Sequence, residues 1–147
     1  MKLFQIEEPD GSPVDPDAAG AAIGIDASGP LAEVAVAVGG NAVVLTDREG
    51  FERDLPVPVL AASAASWQVL FEGARLRAER ALAQPATHAV VALGAADGET
   101  EARMRGAAEA AGLTVLRVLS RQDIAPGEAP ALFAAVLAED LAPRPGI

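Results

Sequence analysis

Residues 23–45 read IGIDASGPLAEVAVAVGGNAVVL, a pattern of three short strands separated by two turns. The first strand ends in Asp26 and runs into a glycine-containing turn. The second and third strands are joined by Gly39-Gly40-Asn41, residue types that tolerate the positive φ of a tight hairpin turn. Valine and alanine alternate in the second strand, so both of its faces are apolar. We therefore expect a sheet that is covered on both sides.

The hydrophobic period then lengthens from two residues to about 3.6. This change predicts a helix over 65–84, with Ser63 or Ser66 as its N-cap and Pro85 at its end. Trp67 lies on the apolar stripe of this helix, which favours a core anchor over a ligand platform.

Two further strands and two further helices follow. Short apolar runs at 87–94 and 113–120 are typical of buried parallel strands. Between them, Asp97 is a predicted helix N-cap and Gly112 a predicted C-terminal stop. Pro130 favours the first turn of a last helix. The residues expected on the sheet-facing side of that helix are Leu132, Phe133, Val136, Leu137 and Leu141.

The predicted element order is β-β-β-α-β-α-β-α. Two hairpins followed by two right-handed crossovers give an α/β fold, with a mixed five-stranded sheet in the order 3-2-1-4-5 and helices on both faces. This is the ribonuclease H-like arrangement, which nucleases share with the actin-like ATPases. We expect one such domain at 21–142, preceded by an arm at 1–20 and followed by a tail at 143–147.

The composition excludes several kinds of site. The chain has 147 residues, no cysteine, one histidine and a formal net charge of −10. Disulfides, thiolate metal sites and multi-histidine sites are therefore excluded, and we interpret His88 as structural. The negative field repels nucleic acid and acidic membranes. We expect a cytoplasmic protein with neither nucleic acid nor membrane as a partner.

Two segments differ in composition from the predicted domain. Residues 7–20 are acidic and rich in Pro and Gly, which is typical of a linker or of an arm that docks on a partner. Residues 1–6 can add a short edge strand. Residues 55–65 are uncharged and apolar, and such a segment either contacts a partner or a second copy, or folds back as a buried strand. Its candidate contact residues are Val57, Val59, Leu60 and the nearby Trp67.

Two separated stretches carry a family resemblance. Residues 24–50, GIDASGPLAEVAVAVGGNAVVLTDREG, contain Gly-Ile-Asp, a loop, a valine-rich strand and a Gly-Gly hairpin. Residues 87–120, THAVVALGAADGETEARMRGAAEAAGLTVLRVLS, contain a strand, a loop and helix, Ala-Gly-Leu, and a Val-Leu-Arg strand. In this order the two stretches resemble the seventy-kilodalton heat-shock chaperones, the DnaK-like family. The resemblance implies the first subdomain of an actin-like ATPase.

Several residues depart from that family. Its phosphate loop continues with Gly-Thr-Thr after Gly-Ile-Asp, whereas ASGP stands at 27–30 here. Pro30 has no N–H to donate to a phosphate. Arg121-Gln122 stand where the family has Glu-Pro, and neither the region of the family's catalytic lysine nor its second lobe has a counterpart.

Because of these departures from the family's sequence, we rank three possible functions. First is a reduced, non-catalytic chaperone ATPase-like module that binds a protein partner or forms a homodimer. Second is a residual nucleotide-binding or ATPase module completed in an oligomer, with Mg²⁺ and ATP as cofactors and Asp26, Ser28 and Gly29 in its phosphate loop. Third is a resolvase-type metal-dependent nuclease, with Asp26 and Asp97 as metal ligands. Alternatively, Asp26 caps its own turn.

Overall fold

The computed structural model describes residues 21–142 except 46–54, 60–61 and 95–96. The predicted arm, the predicted tail and Leu60 therefore lie outside the described residues.

Five strands and three α-helices follow one another in the predicted order. The strands are β1 (Ala21–Asp26), β2 (Glu33–Val38), β3 (Asn41–Leu45), β4 (Ala86–Ala92) and β5 (Thr114–Leu119). The α-helices are α1 (Ala64–Leu82), α2 (Gly98–Ala110) and α3 (Pro130–Leu141). A short 3-10 helix, Arg121–Asp123, lies between β5 and α3.

The strands form one mixed sheet in the order β3-β2-β1-β4-β5, which confirms the predicted order. The three N-terminal strands pair antiparallel, and β1, β4 and β5 pair parallel. Ile23 in β1 pairs with Val36 on one side and Ala89 on the other, so β1 is central. The carboxyl ends of β1, β4 and β5 consequently meet at one edge of the sheet.

One face of the sheet is covered by α1 and α2, and it carries the larger side chains. Ile23 and Ile25 of β1 are fully buried there. Trp67 and Phe71 of α1 pack against the same cluster, with ring centroids 6.3 Å apart. The interpretation of Trp67 as a core anchor is thus confirmed. Arg77, which the helical pattern leaves off the buried stripe, is buried as well.

The opposite face is covered by α3 through a stripe of small residues. The buried residues of this helix are Ala131, Ala134, Ala135 and Ala138. The prediction that the larger apolar residues form the sheet-facing stripe is confirmed only in part. The centre of the stripe is alanine, and Val136 is exposed. The other four predicted residues pack half-buried at its margins: Leu132, Phe133, Leu137 and Leu141.

Gly24 explains this arrangement of α3. A Cβ added at Gly24 would lie 2.7 Å from the carbonyl oxygen of Ala131 and would also meet the backbone of Ala134 and Ala135. The helix backbone therefore rests almost directly on β1, and a glycine within a strand commonly marks such a close approach. Only alanine fits between helix and sheet at this distance.

The predicted helix ends are largely confirmed. Ser63 is the N-cap of α1, and its side chain accepts a hydrogen bond from the Ser66 amide. Asp97 is the N-cap of α2. Gly112 follows α2 with φ of 94°, a conformation that glycine adopts without strain. The described helices include none that is long and apolar enough to cross a membrane.

Segment 55–59 lies beside the start of β2. Pro56 forms a single bridge with Leu31, and no described strand includes it, as two prolines so close together predict. Leu55 and Val57 pack against the main core, whereas Val59 is 73% exposed. The segment therefore folds back in part, although not as a regular strand.

Candidate functional site

The turn that follows β1 is held together by Asp26. One of its carboxylate oxygens accepts hydrogen bonds from the Ser28 amide, at 2.9 Å, and from the Ser28 hydroxyl. The Ala27 amide donates to the carbonyl of Ala92 in β4 at 2.8 Å. This is an Asx turn, in which an aspartate side chain bonds the backbone two residues on. The alternative interpretation of Asp26, as the cap of its own turn, is confirmed.

The rest of this loop is fixed to segment 55–59. The Pro30 carbonyl accepts a hydrogen bond from the Val57 amide at 3.0 Å, and the Ala32 amide donates to the Leu55 carbonyl at 2.8 Å. Gly29 is exposed between these two fixed regions. Within 27–30, Ala27 and Ser28 already use their N–H groups and Pro30 has none, so three of the four residues offer no amide to an external phosphate.

Arg121 lies at the same edge of the sheet. A Cβ added at Gly94 would be 3.7 Å from the Ser28 carbonyl oxygen and 3.8 Å from Nη2 of Arg121, so these three residues converge. They adjoin a cavity of about 190 Å³ whose lining includes Ser28, Arg121 and Glu128. Ligands of α/β sheets commonly bind at this edge. However, the cavity is smaller than the ~300–1,000 Å³ of typical small-molecule pockets.

Asp97 is engaged in capping α2. Its carboxylate accepts a hydrogen bond from the Thr100 amide at 2.8 Å. That amide first, and then the Thr100 hydroxyl, stabilise the ionised carboxylate and hold the pKa of Asp97 below its ordinary value. Among the described residues, no group of three or more Asp, Glu or His side chains is placed to hold a metal ion. In the structure Asp26 bonds Ser28 and Asp97 bonds Thr100, and the metal roles suggested for the two aspartates stay predictions.

The partner-contact candidates fall into different environments. Trp67 is fully buried and is not available to a partner, because it lies on the core-facing side of α1. Val57 is half-buried against the same core. Val59 alone among the described candidates is prominently exposed. His88 is half-buried, and its Nδ1 lies 2.7 Å from the Thr87 hydroxyl.

One contact that the sequence did not predict joins the β2–β3 turn to α3. Gly39 and Gly40 have φ of 62° and 85°. Their amides donate to the two carboxylate oxygens of Glu139, at 2.6 Å and 2.9 Å. The turn residues were recognisable from the sequence, but their partner lies about 100 residues away and no local pattern points to it.

The outer side of α3 is a second feature that the sequence analysis missed. A groove of about 790 Å³ runs along it, from the 125–128 loop to the Gly39-Gly40 turn. Its apolar lining consists mainly of Leu132, Phe133, Val136 and Leu137. The available signal was the helical spacing of alanines at 131, 134, 135 and 138 together with a glycine inside β1.

No model of a protein family matches this chain, and no curated protein matches it significantly.

Proposed function

We propose that this chain is a non-catalytic protein-binding module with the ribonuclease H-like fold of an actin-like ATPase's first subdomain. The strand order, the antiparallel hairpins and the two parallel crossovers support the fold. One observation supports the proposal that the chain is non-catalytic. The loop after β1, where the resemblance to the DnaK-like chaperones places a phosphate, has three residues without an available N–H.

A nucleotide would find few partners at this edge of the sheet. Asp26 is bonded to Ser28, and Pro30 is held by segment 55–59. The adjoining cavity is about 190 Å³, too small for a nucleotide. A nuclease of the resolvase type needs about three converging carboxylates, whereas Arg121 lies beside this cavity.

Apolar side chains near segment 55–59 supply a surface for a protein partner or a second copy. Val59 is exposed at the end of the segment. Leu55 of the same segment packs at Gly73 of α1, since a Cβ added there would lie 2.7 Å from its Cδ2. Val69 and Leu76 are exposed one helical turn to either side of Gly73. Exposed apolar residues grouped in this way commonly mark a contact surface.

Calorimetry with ATP and Mg²⁺ tests the absence of nucleotide binding. We expect no binding tighter than about 1 mM, which corresponds to about −4.1 kcal/mol. The matched variant is Asp26→Asn, which should behave like the wild type. Micromolar affinity in the wild type that is lost in Asp26→Asn would reject the proposal and make Asp26 and Ser28 the leading site residues.

Light scattering over a range of concentrations tests the contact surface. We expect the wild type to associate at high micromolar concentration and Val59→Asp to remain monomeric, because a buried unpaired charge opposes association. Val43→Asp is the matched control, since Val43 is also exposed but lies on β3. A wild type that stays monomeric throughout removes self-association and restricts the surface to an outside protein partner.

A further inference from the structure

The helix α3 is apolar on two opposite sides. Its alanine stripe faces the sheet. Leu132, Phe133 and Leu137 are half-buried at the margins of that stripe, and together with Val136 they line the groove on the outer side. Val136 at the centre of this outer side is 40% exposed. A helix with apolar residues all around is normally covered on both sides. The outer side of α3 therefore has the character of a surface that another segment covers.

The charges around this groove restrict what can cover it. Its lining includes the carboxylates of Glu128, Glu139 and Asp140, and the described part of the chain contributes no lysine or arginine to it. An apolar segment that carries a positive charge matches such a surface. A second copy of the same groove does not, because it would bring a second set of carboxylates against the first.

The chain enters the sheet next to one end of the groove. Ile23 pairs with Val36, and continuing this antiparallel register places Ala21 opposite Val38. The Gly39-Gly40 turn follows Val38 directly and lines the groove. Ala21, the first described residue, therefore lies one strand away from the end of the groove.

The start of the chain has the chemistry that the groove favours. Residues 1–6 read MKLFQI, with apolar side chains at Leu3, Phe4 and Ile6. Lys2 is the only lysine of the chain. Residues 7–20 can span up to roughly 50 Å, so they do not limit the reach of this segment.

We propose that residues 1–6 bind in the α3 groove of their own chain, with Leu3 and Phe4 on the apolar lining and Lys2 at the acidic rim. Tethering raises the effective concentration of such a segment to about the millimolar range, so weak contacts suffice. The segment then covers the outer side of α3 and competes with any protein that binds there. This inference does not depend on the proposed function.

Cross-linking in the full chain tests the contact, because the natural sequence contains no cysteine. The test variant combines Phe4→Cys with Val136→Cys. The matched control combines Phe4→Cys with Ala102→Cys, since Ala102 is exposed on α2 at the opposite face of the sheet. Under mild oxidation we expect the disulfide within one chain to form roughly tenfold faster in the test variant.

Equal rates in the two variants would overturn the proposal. An equimolar mixture of the two single variants, Phe4→Cys and Val136→Cys, shows whether the contact lies between chains. Cross-linking in this mixture as fast as in the double variant would also overturn it.

Thiol labelling gives a second measurement that needs no disulfide geometry. Adding Leu3→Asp to Val136→Cys should raise the maleimide labelling rate severalfold, because the segment no longer shields the groove. The same change added to Ala102→Cys, on the exposed side of α2, should leave its rate unaltered. An unchanged rate at Val136→Cys would contradict the proposal.

Discussion

Glu139 places a negative charge in the last turn of α3, where the helix macrodipole disfavours it. The amides of Gly39 and Gly40 offset this cost, because each donates to one of its carboxylate oxygens. This pair of hydrogen bonds fixes the β2–β3 turn against the end of the helix.

The substitution Glu139→Gln should lower the free energy of unfolding by about 1 kcal/mol, because charge-assisted hydrogen bonds become neutral ones. Urea denaturation measures the change. Asp140→Asn is the control, since it removes the same charge from an exposed neighbour and should leave stability nearly unaltered. Equal effects of the two substitutions would show that net charge, and not the two amides, determines the result.

Asp97 should make the stability of the protein depend on pH. Its pKa is lowered in the folded state from an ordinary value of 3.8, because the Thr100 amide and hydroxyl stabilise the carboxylate. Its contribution is therefore fully present above the unfolded pKa and is lost as pH falls through the lower folded pKa. Asp97→Asn keeps a capping side chain and removes this titration.

The stability difference between the wild type and Asp97→Asn should accordingly shrink as pH is lowered below about 4. Unfolding curves at a series of pH values measure it. Glu109→Gln, in the last turn of α2, serves as the control, because removing a carboxylate from that end should not destabilise the helix at neutral pH. A difference that is constant with pH would contradict the role given to Thr100.

Single residues were predictable from sequence where their role is local. Asp97 was recognised as a cap because its partner is three residues away, and Trp67 as a core residue because of the helical period of its neighbours. Arg121 and Glu139 were not recognised in their observed contacts. Only the fold brings their neighbours to them: those of Arg121 come from the loops after β1 and β4, and those of Glu139 from the β2–β3 turn.

Among the elements, the packing of α3 on β1 tolerates the least change. Gly24→Ala would place a methyl group 2.7 Å from the carbonyl oxygen of Ala131 and against the backbone of Ala134 and Ala135. Backbone atoms cannot move aside as a flexible side chain can, so the helix has to shift. We expect a loss of about 3 kcal/mol, at the upper end of the usual cost of overpacking.

Thermal and urea unfolding of Gly24→Ala measure this loss. The control is Gly106→Ala in α2, where nothing lies within 4 Å of the added methyl group. That substitution should raise stability by about 0.5–1 kcal/mol, because alanine favours the helix. Equal effects of the two substitutions would mean that α3 does not pack as closely on β1 as described.

The helix α3 also shows what the element patterns could not determine. Its existence and its start at Pro130 followed from the sequence, but the choice of its buried side did not. Hydrophobicity favours the side with leucine and phenylalanine, whereas the distance between helix and sheet admits only alanine. Steric distance overrides side-chain hydrophobicity here, and it becomes visible only when Gly24 and the alanine stripe are considered together.

At the scale of the whole molecule, the sheet order was predictable because each connection restricts it. Short turns require antiparallel neighbours, and the helical crossovers require parallel ones. The functional site was far less predictable. Its candidate residues were assigned by analogy with a phosphate loop, whereas the hydrogen bonds of Ala27 and Ser28 are visible only in the structure.

The two faces of the sheet also differ in when their cover is synthesised. The face with Ile23 and Ile25 receives α1 and α2, which lie between the strands in the chain. The face with Gly24 stays uncovered until α3 has been synthesised, because α3 follows every described strand. Because a growing chain folds from its N-terminal end, the face that stays open longest is the one built mainly from alanine and glycine. A nascent chain therefore exposes little aggregation-prone hydrophobic surface before α3 has been synthesised.

The same order should appear in refolding kinetics. Ala74→Gly in α1 and Ala134→Gly in α3 make the same change at fully buried positions and should destabilise by about 1 kcal/mol each. If α3 docks last, Ala134→Gly mainly accelerates unfolding and Ala74→Gly mainly slows folding. Stopped-flow chevron plots of the two variants separate these cases, and the reverse assignment would show that α3 forms part of the folding nucleus.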